Sequence, residues 1–397
     1  MSITAPEVIV GPRSDYDAYS DAALTDPWPG YRMMRDAGPV VFLTKYNMYA
    51  ATRYATVAHI LRTPEVFPSG EGVMMNDQMN QVLRGNTLCS DGPAHDVSRS
   101  IIVKPLTPKA LKPLQDQIQR EADALVSRLV QRRRIDAIDE LAAHLPVTVV
   151  SELVGLPEEG REQMLTWASE MFNCFGPMGP RAERSFPVLA EMMEYATNQA
   201  VRGKLRPGSW AEAILDAADR GEVSPEQCPV MMIDYMGPSL DTTISAIGSA
   251  VWLFAENPSQ WDQIRQEPSL IPSAVNEILR LESPIQDFSR SVAEDHEIDG
   301  VVLPAGSRVI TYYGAANRDE RHYPEPDRFD VRRNPTDHLG FGAGPHACAG
   351  MNLAKLEMRA VLTALATRVR RFELHEARRP VHNILRGFTS LDVTLHV

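Results

Sequence analysis

The run Phe341-Gly342-Ala343-Gly344-Pro345-His346-Ala347-Cys348-Ala349-Gly350 constrains this chain more than any other segment. It places one cysteine in a glycine-punctuated loop, immediately before an amphipathic stretch with helical spacing. Glycines let a backbone lie flat against something bulky and adopt dihedrals closed to other residues. A cysteine just before a helix feels the positive end of the helix dipole, which favours thiolate over thiol. A thiolate on a rigid loop, with no side chain crowding it, suits a metal ligand. Taken alone, a cysteine is more often a small buried hydrophobe. That role is expected for Cys89, Cys174 and Cys228, which lack the flanking pattern.

The chain has 397 residues with ordinary globular proportions of apolar and charged side chains. A formal net charge of −12 argues against a general nucleic-acid binder. Scattered cysteines suggest no disulfide framework and fit a reducing cytoplasm. Residues 1–13 show no basic segment followed by an apolar core, so no signal peptide is expected. No run approaches the roughly 18 apolar residues that span a bilayer. A cytoplasmic protein with no membrane attachment is expected.

The first thirty residues are polar and rich in Pro, Asp and Ala, and read as an extended arm. A turn at Asp26-Pro27-Trp28-Pro29-Gly30 precedes a short helix over 31–36. Residues 40–43 and 48–52 are β-type runs around Lys45-Tyr46-Asn47, a hairpin. Residues 54–62 have helical spacing, and 67–90 have no period and read as a long functional loop. Helices are expected over 114–130, 135–153, 160–175, 184–201, 224–257 and 273–281. Gly237-Pro238 interrupts the long apolar one. Short strands return over 297–310 and near the C-terminus. With no repeat or linker, the expected architecture is one domain over 1–397, mainly α with small β-sheets.

Every fixed position of the cysteine run matches F-G-x-G-x-H-x-C-x-G, and on that match the chain resembles the cytochrome P450 superfamily. The resemblance implies the P450 fold, haem b (iron protoporphyrin IX) as cofactor and Cys348 as its axial iron ligand. Glu277 and Arg280 share one helix face and resemble the family's E-x-x-R element. Pro326-Asp327-Arg328-Phe329 resembles its P-x-R-F segment, so Arg328 is the implied third member of a triad bracing the cysteine loop. His95 and Arg99 resemble the family's H-x-x-x-R. With Arg290 and His346 they are the implied partners of the haem propionates, which need cationic or donor groups when buried. Outside such a pattern either pair would be ordinary surface decoration.

Leu240-Asp241-Thr242-Thr243 lies in the long apolar stretch and resembles the family's A-G-x-D-T-T element. Asp241 and Thr242 are then the implied catalytic pair. The acid feeds protons inward and the hydroxyl passes them towards dioxygen. A buried charge in such a helix needs a reason; the alternative is a helix distortion with satisfied polar groups. The usual Ala-Gly is Pro238-Ser239 here. Proline can supply the kink, and serine can join a water network or bond back to the helix.

Within the superfamily the chain most resembles bacterial enzymes that demethylate para-methoxybenzoate. The runs that carry this are Asp36-Ala37-Gly38-Pro39-Val40-Val41, Phe172-Asn173-Cys174-Phe175-Gly176-Pro177, Ser283-Pro284-Ile285-Gln286 and Leu385-Arg386-Gly387. Those enzymes hold the substrate carboxylate with a loop arginine and an Arg-Ser pair; Glu71 and Ile233-Asp234 stand there in this chain. Asp287, beside Phe288, adds a third acid. Carboxylates repel a benzoate. A small cationic amine, or a neutral aromatic with hydrogen-bond donors, is therefore the expected substrate, unless Glu71 and Asp234 point to solvent. Met74, Met75, Phe175, Phe288 and Phe388 are candidates for the apolar wall or for core packing.

The implied reaction is hydroxylation or oxidative O- or N-demethylation by a haem-thiolate monooxygenase. The alternatives are a peroxygenase driven by hydrogen peroxide, which typically lacks the acid–alcohol pair, and a non-catalytic haem sensor, which needs no relay. No G-x-G-x-x-G follows a strand, so a separate ferredoxin with its reductase is expected to supply electrons. Lys104, Lys109, Lys112, Lys355 and Arg359 are its candidate basic docking patch. A monomer is expected.

Overall fold

The computed structural model describes residues 11–397. The first ten residues of the expected arm, and most of the segment read for a signal peptide, lie outside the described residues. The rest of the arm is not simply extended. Arg13–Ser14 pairs as a strand with Val40–Leu43, and Asp21–Thr25 and Trp28–Ala37 are helices. The Ser20 hydroxyl caps the first by accepting from the Ala23 N–H. Pro29 sits in the first turn of the second, where its missing N–H is no loss.

The expected hairpin forms from Val40–Leu43 and Met48–Ala51. It turns at Asn47, whose φ of 54° is the left-handed conformation that asparagine tolerates. The hairpin belongs to a five-stranded sheet ordered Arg13–Ser14, Val40–Leu43, Met48–Ala51, Arg308–Tyr312, Asp287–Ser291. A second sheet joins Arg134–Asp136, Ser390–His396 and Arg371–Arg378, and His296–Ile298 pairs with Val301–Leu303. Helices make up most of the rest, so the fold is mainly α with small β-sheets.

Four of the expected helices appear as Gln115–Arg132, Met164–Phe175, Pro180–Asn198 and Ile271–Glu282. Two others are broken. Residues 135–153 begin in a strand, continue as wide π-type turns over Ala137–Ala142 and Pro146–Val150, and finish with one α turn, Ser151–Val154. Pro146 has no N–H for a regular ladder. Residues 224–257 split into Cys228–Met236 and Asp241–Glu256, because Pro238 cannot donate to the preceding turn. Asp241–Glu256 is apolar on most sides and is covered by Met164–Phe175, Ile271–Glu282 and Met351–Arg368.

The 67–90 loop contains a short helix, Asp77–Val82, capped by Asn76. The Asn76 amide also donates to the Cys174 and Gly176 carbonyls at 2.7 and 2.8 Å. The Met75 N–H donates to the Phe175 carbonyl at 2.9 Å. These bonds fasten the loop to the end of the Met164–Phe175 helix, over the cavity described next.

Candidate active site

A cavity of roughly 240 Å³ lies between the cysteine loop, the start of Asp241–Glu256 and the wall at 284–290. Tight turns at Leu339–Phe341 and Gly344–His346 fold the loop so that the Cys348 N–H donates to the Phe341 carbonyl at 2.8 Å. The fold needs Gly344 at a φ of 71°, and a Cβ there would collide with the Leu61 carbonyl. The Cys348 sulfur is open to the cavity and enclosed by protein elsewhere. Burial pushes its thiol up, against the Gly350 N–H, the Arg99 charge and the Met351 N–H. The N–H groups at the start of the helix thus favour the thiolate, as read from sequence, while enclosure opposes it. A metal cation at the sulfur would complete the thiolate.

Buried donors without partners surround this floor. His95 leaves Nε2 unbonded and His346 leaves Nδ1 unbonded, with their rings 4.3 Å apart. The other ring nitrogens are held, His95 Nδ1 at 3.2 Å from Asp96 and His346 Nε2 at 3.5 Å from Asp91. Burial opposes the charge of Asp91, yet His346 and the Ser69 and Gly70 N–H groups hold its carboxyl down at about 2. Arg290 bonds the Ser289 carbonyl at 2.7 Å and Arg99 bonds the Ala347 carbonyl. Neither guanidinium pairs with a carboxylate among the described residues. Enclosed donors rarely go unbonded. This set fits a macrocycle that brings iron to a cysteine and carboxylates to a buried edge.

Behind the loop, Glu277 and Arg280 are wholly buried and joined at 2.7 and 2.9 Å. The third member is Arg333, not Arg328. Arg333 Nε donates to Glu277 at 3.1 Å. Arg328 is half-exposed and takes the carboxylate of Glu325, three residues earlier, at 2.9 Å.

On the opposite side of the cavity the helix break shapes the polar groups. Thr242 lines the cavity and donates to the Pro238 carbonyl at 2.8 Å. The Ser239 hydroxyl bonds the Tyr235 carbonyl. Both hydroxyls serve carbonyls that an unbroken helix would bond to N–H groups. Asp241 turns away from the cavity, with Oδ2 enclosed and unbonded. Burial, and then the Glu170 charge, pushes its carboxyl up to about 7.

Of the three acids expected at the wall, only Asp234 is there. Its Oδ2 accepts from the Thr87 N–H at 3.0 Å. Burial pushes its carboxyl up to about 6, against Thr87 and Arg99. Glu71 lies outside, with its side chain 79% exposed and 3.6 Å from Arg84. Asp287 is buried behind the wall, accepting from the Tyr19 hydroxyl at 3.0 Å. Strand alternation explains this: Phe288 and Arg290 face the cavity, so Asp287 faces away. Phe175 and Phe288 line the wall, 6.0 Å apart. Met74 and Met75 are buried outside it; the Met74 N–H bonds Asn80 at 2.9 Å. Phe388 packs beneath Arg379 at 3.8 Å and beside Trp252 instead.

Ile233 lines the cavity beside Asp234, and Met171, Phe172, Ala246 and Ile285 line it beyond the wall candidates read from sequence. Met171 and Phe172 precede Phe175 by four and three residues and so share its helix face, which is the signal that could have found them.

Among the described residues no helix is long and apolar enough to cross a membrane. The cytochrome P450 family model matches residues 187–395. Over 389 residues the chain is 37% identical to cytochrome P450 CYP199A2 of Rhodopseudomonas palustris, covering 97% of this chain and 94% of that protein. It is 30% identical to linalool 8-monooxygenase of Pseudomonas putida over 369 residues, covering 88% and 90%. Among solved structures, an intact type IV self-sufficient P450 monooxygenase superposes with a TM-score of 0.85 at 28% identity, covering 97% of this chain and 53% of that one. This chain thus spans about half of that self-sufficient protein. P450BioI, solved with acyl carrier protein ligated to hexadec-9Z-enoic acid, superposes with a TM-score of 0.84 at 26% identity, covering 95% and 99%. Sequence, fold and cavity agree: the chain belongs to the cytochrome P450 family, an oxidoreductase of the monooxygenase type whose cofactor is haem b held through a cysteine thiolate.

Proposed function

We propose that this protein hydroxylates or oxidatively demethylates a small aromatic substrate that is neutral or cationic, with electrons from a separate ferredoxin and its reductase. The observation that carries the substrate class is Asp234, an acid in the wall of an otherwise mainly apolar cavity. The groups that would clamp a benzoate are absent from the corresponding positions. Glu71 plays no part in this reading, since it faces solvent.

In this reading Cys348 would hold the haem iron, Arg99 and Arg290 would neutralise its propionates, and His95 and His346 would donate hydrogen bonds to them. Haem b supplies dioxygen activation when bound. Phe175 and Phe288 pack the ring of the substrate, and Asp234 receives an ammonium or a hydrogen-bond donor. Thr242 donates to the Pro238 carbonyl, which leaves its oxygen free to accept a proton-bearing water from the cavity. Asp241, with a carboxyl near neutrality, holds and exchanges a proton behind it. Lys104, Lys109, Lys112 and Arg359 are exposed and Lys355 is half-buried. Asn352 ties the lysine segment to the start of Met351–Arg368 through the Leu106 carbonyl at 3.3 Å. This bond supports a basic surface near the cysteine loop, towards which an acidic ferredoxin would be steered.

The test is turnover of N-methyl benzylamines and methyl phenol ethers with a bacterial ferredoxin, its reductase and NADH. Formaldehyde and dealkylated product are expected. Product formed with hydrogen peroxide but not with dioxygen and electrons would favour the peroxygenase, and no product with either would favour a sensor.

A further inference from the structure

Beside the wall residues Pro284 and Ile285, three guanidiniums converge on one buried carboxylate. Glu282 is 1% exposed. Arg379 Nη2 donates to it at 2.8 Å, and Arg318 and Arg386 lie 3.6 Å from it. Arg318 has further partners, Asp327 at 2.9 Å and the Leu281 carbonyl at 3.0 Å. Arg386 and Arg379 lack such support. The Arg386 side chain is nine-tenths buried; its Nε is the atom 3.6 Å from Glu282, too far for a hydrogen bond, and it makes no side-chain hydrogen bond among the described residues. Arg379 Nη1 is enclosed and unbonded.

The faces of these guanidiniums are already covered. Arg379 lies 3.8 Å over Phe388 and 4.9 Å over Trp252, and Arg386 lies 4.7 Å over Trp28. Only in-plane N–H groups remain available. Burial pushes the Arg379 guanidinium down to about 10, with Glu282 acting against this and the like charges of Arg386 and Arg318 adding to it. Arg318, Arg379, Arg386 and the exposed Arg32 face Glu282 and the half-exposed Asp327, which leaves positive charge in excess. Enclosed donors seek acceptors, and buried like charges seek a counter-charge. A small monovalent anion answers both needs.

We infer that Arg379 and Arg386 form a binding site for a small monovalent anion, a halide or a compact carboxylate. The site adjoins the cavity wall directly. The Arg386 N–H donates to the Pro284 carbonyl at 2.8 Å, and Leu385 bridges to Ile285. The occupant fastens the C-terminal segment to that wall.

The test uses the haem-loaded protein at constant ionic strength, with chloride or formate replacing gluconate, a much bulkier anion. The melting temperature should rise by about 2 °C or more at about 200 mM of the binding anion. The larger rise tells halide from carboxylate. Arg386→Gln should lose the rise. Bromide soaked into crystals of the unmodified protein should give an anomalous peak between Arg379 and Arg386, a readout that stands even if the variant fails to fold. Equal melting in all three salts, the same rise in Arg386→Gln, or no bromide peak at these arginines would overturn the assignment.

Discussion

Asp234 lines the cavity, and its raised carboxyl makes the proposed contact with substrate testable by pH. Burial raises its carboxyl to about 6, so the free protein holds it protonated below that value. A cation needs the carboxylate and must displace the proton. Affinity for an ammonium ligand should therefore fall about tenfold per pH unit below about pH 6, whereas a neutral phenol ether should bind with no such slope. Asp234→Asn should remove the slope; equal slopes for the two ligand classes would contradict the role. Thr242→Ala should keep haem and ligand binding but divert electrons to hydrogen peroxide by severalfold, read as peroxide formed per NADH. Unchanged coupling would move the relay to Ser239. Residue identity was legible from sequence wherever a motif is contiguous, as around Cys348. Direction was not: Asp287 and Phe288 are neighbours in sequence, yet strand alternation puts only Phe288 in the cavity.

At the scale of elements, regular periods were readable and interruptions were not. The helix Tyr54–Arg62 matches its spacing residue for residue, because nothing inside it competes with the helical ladder. Pro146 and Pro238 change the winding or stop it, and an apolar period over 135–153 or 224–257 does not report that. The triad behind the cysteine loop shows the same limit. Whether Arg328 or Arg333 reaches Glu277 depends on the path of an aperiodic segment. Arg333→Ala removes one of two guanidiniums on the buried Glu277, which Arg280 still neutralises, so it should cost about 1.5–3 kcal/mol of stability. Arg328→Ala removes a surface pair and should cost no more than about 1 kcal/mol. Urea unfolding of the two variants decides between them; equal losses would contradict the assignment of Arg333.

For the whole molecule, the buried acids set a pH limit on stability. Burial pushes the Asp287 carboxyl up to about 8, with the Tyr19 hydroxyl acting against it. The folded protein keeps a proton there that the unfolded chain releases near pH 4. Stability therefore falls as pH rises from about 4 to about 8. Between pH 6 and 8 this group alone should remove roughly 2 kcal/mol, a loss that Asp287→Asn should not show. Matching pH slopes for the two proteins in urea unfolding would refute this. At this scale the floor of the cavity was largely legible, since one run of sequence builds it. The wall was not, because it is assembled from 83–106, 171–175, 233–246 and 284–290, whose apolar residues look like core until the chain brings them together.

The central claim is that this cavity accepts a cationic or neutral aromatic in preference to a benzoate. The direct measurement is a Soret titration of the unmodified protein with para-methoxybenzyl-trimethylammonium, which cannot ligate iron through nitrogen, and with para-methoxybenzoate. At an effective dielectric near 20, an opposite charge at about 4 Å is worth roughly 4 kcal/mol before desolvation is subtracted. The ammonium should half-saturate the shift at a concentration at least about tenfold lower, a difference of roughly 1.4 kcal/mol. Tighter binding of the benzoate would show that Asp234 does not meet the ligand and would contradict the substrate assignment.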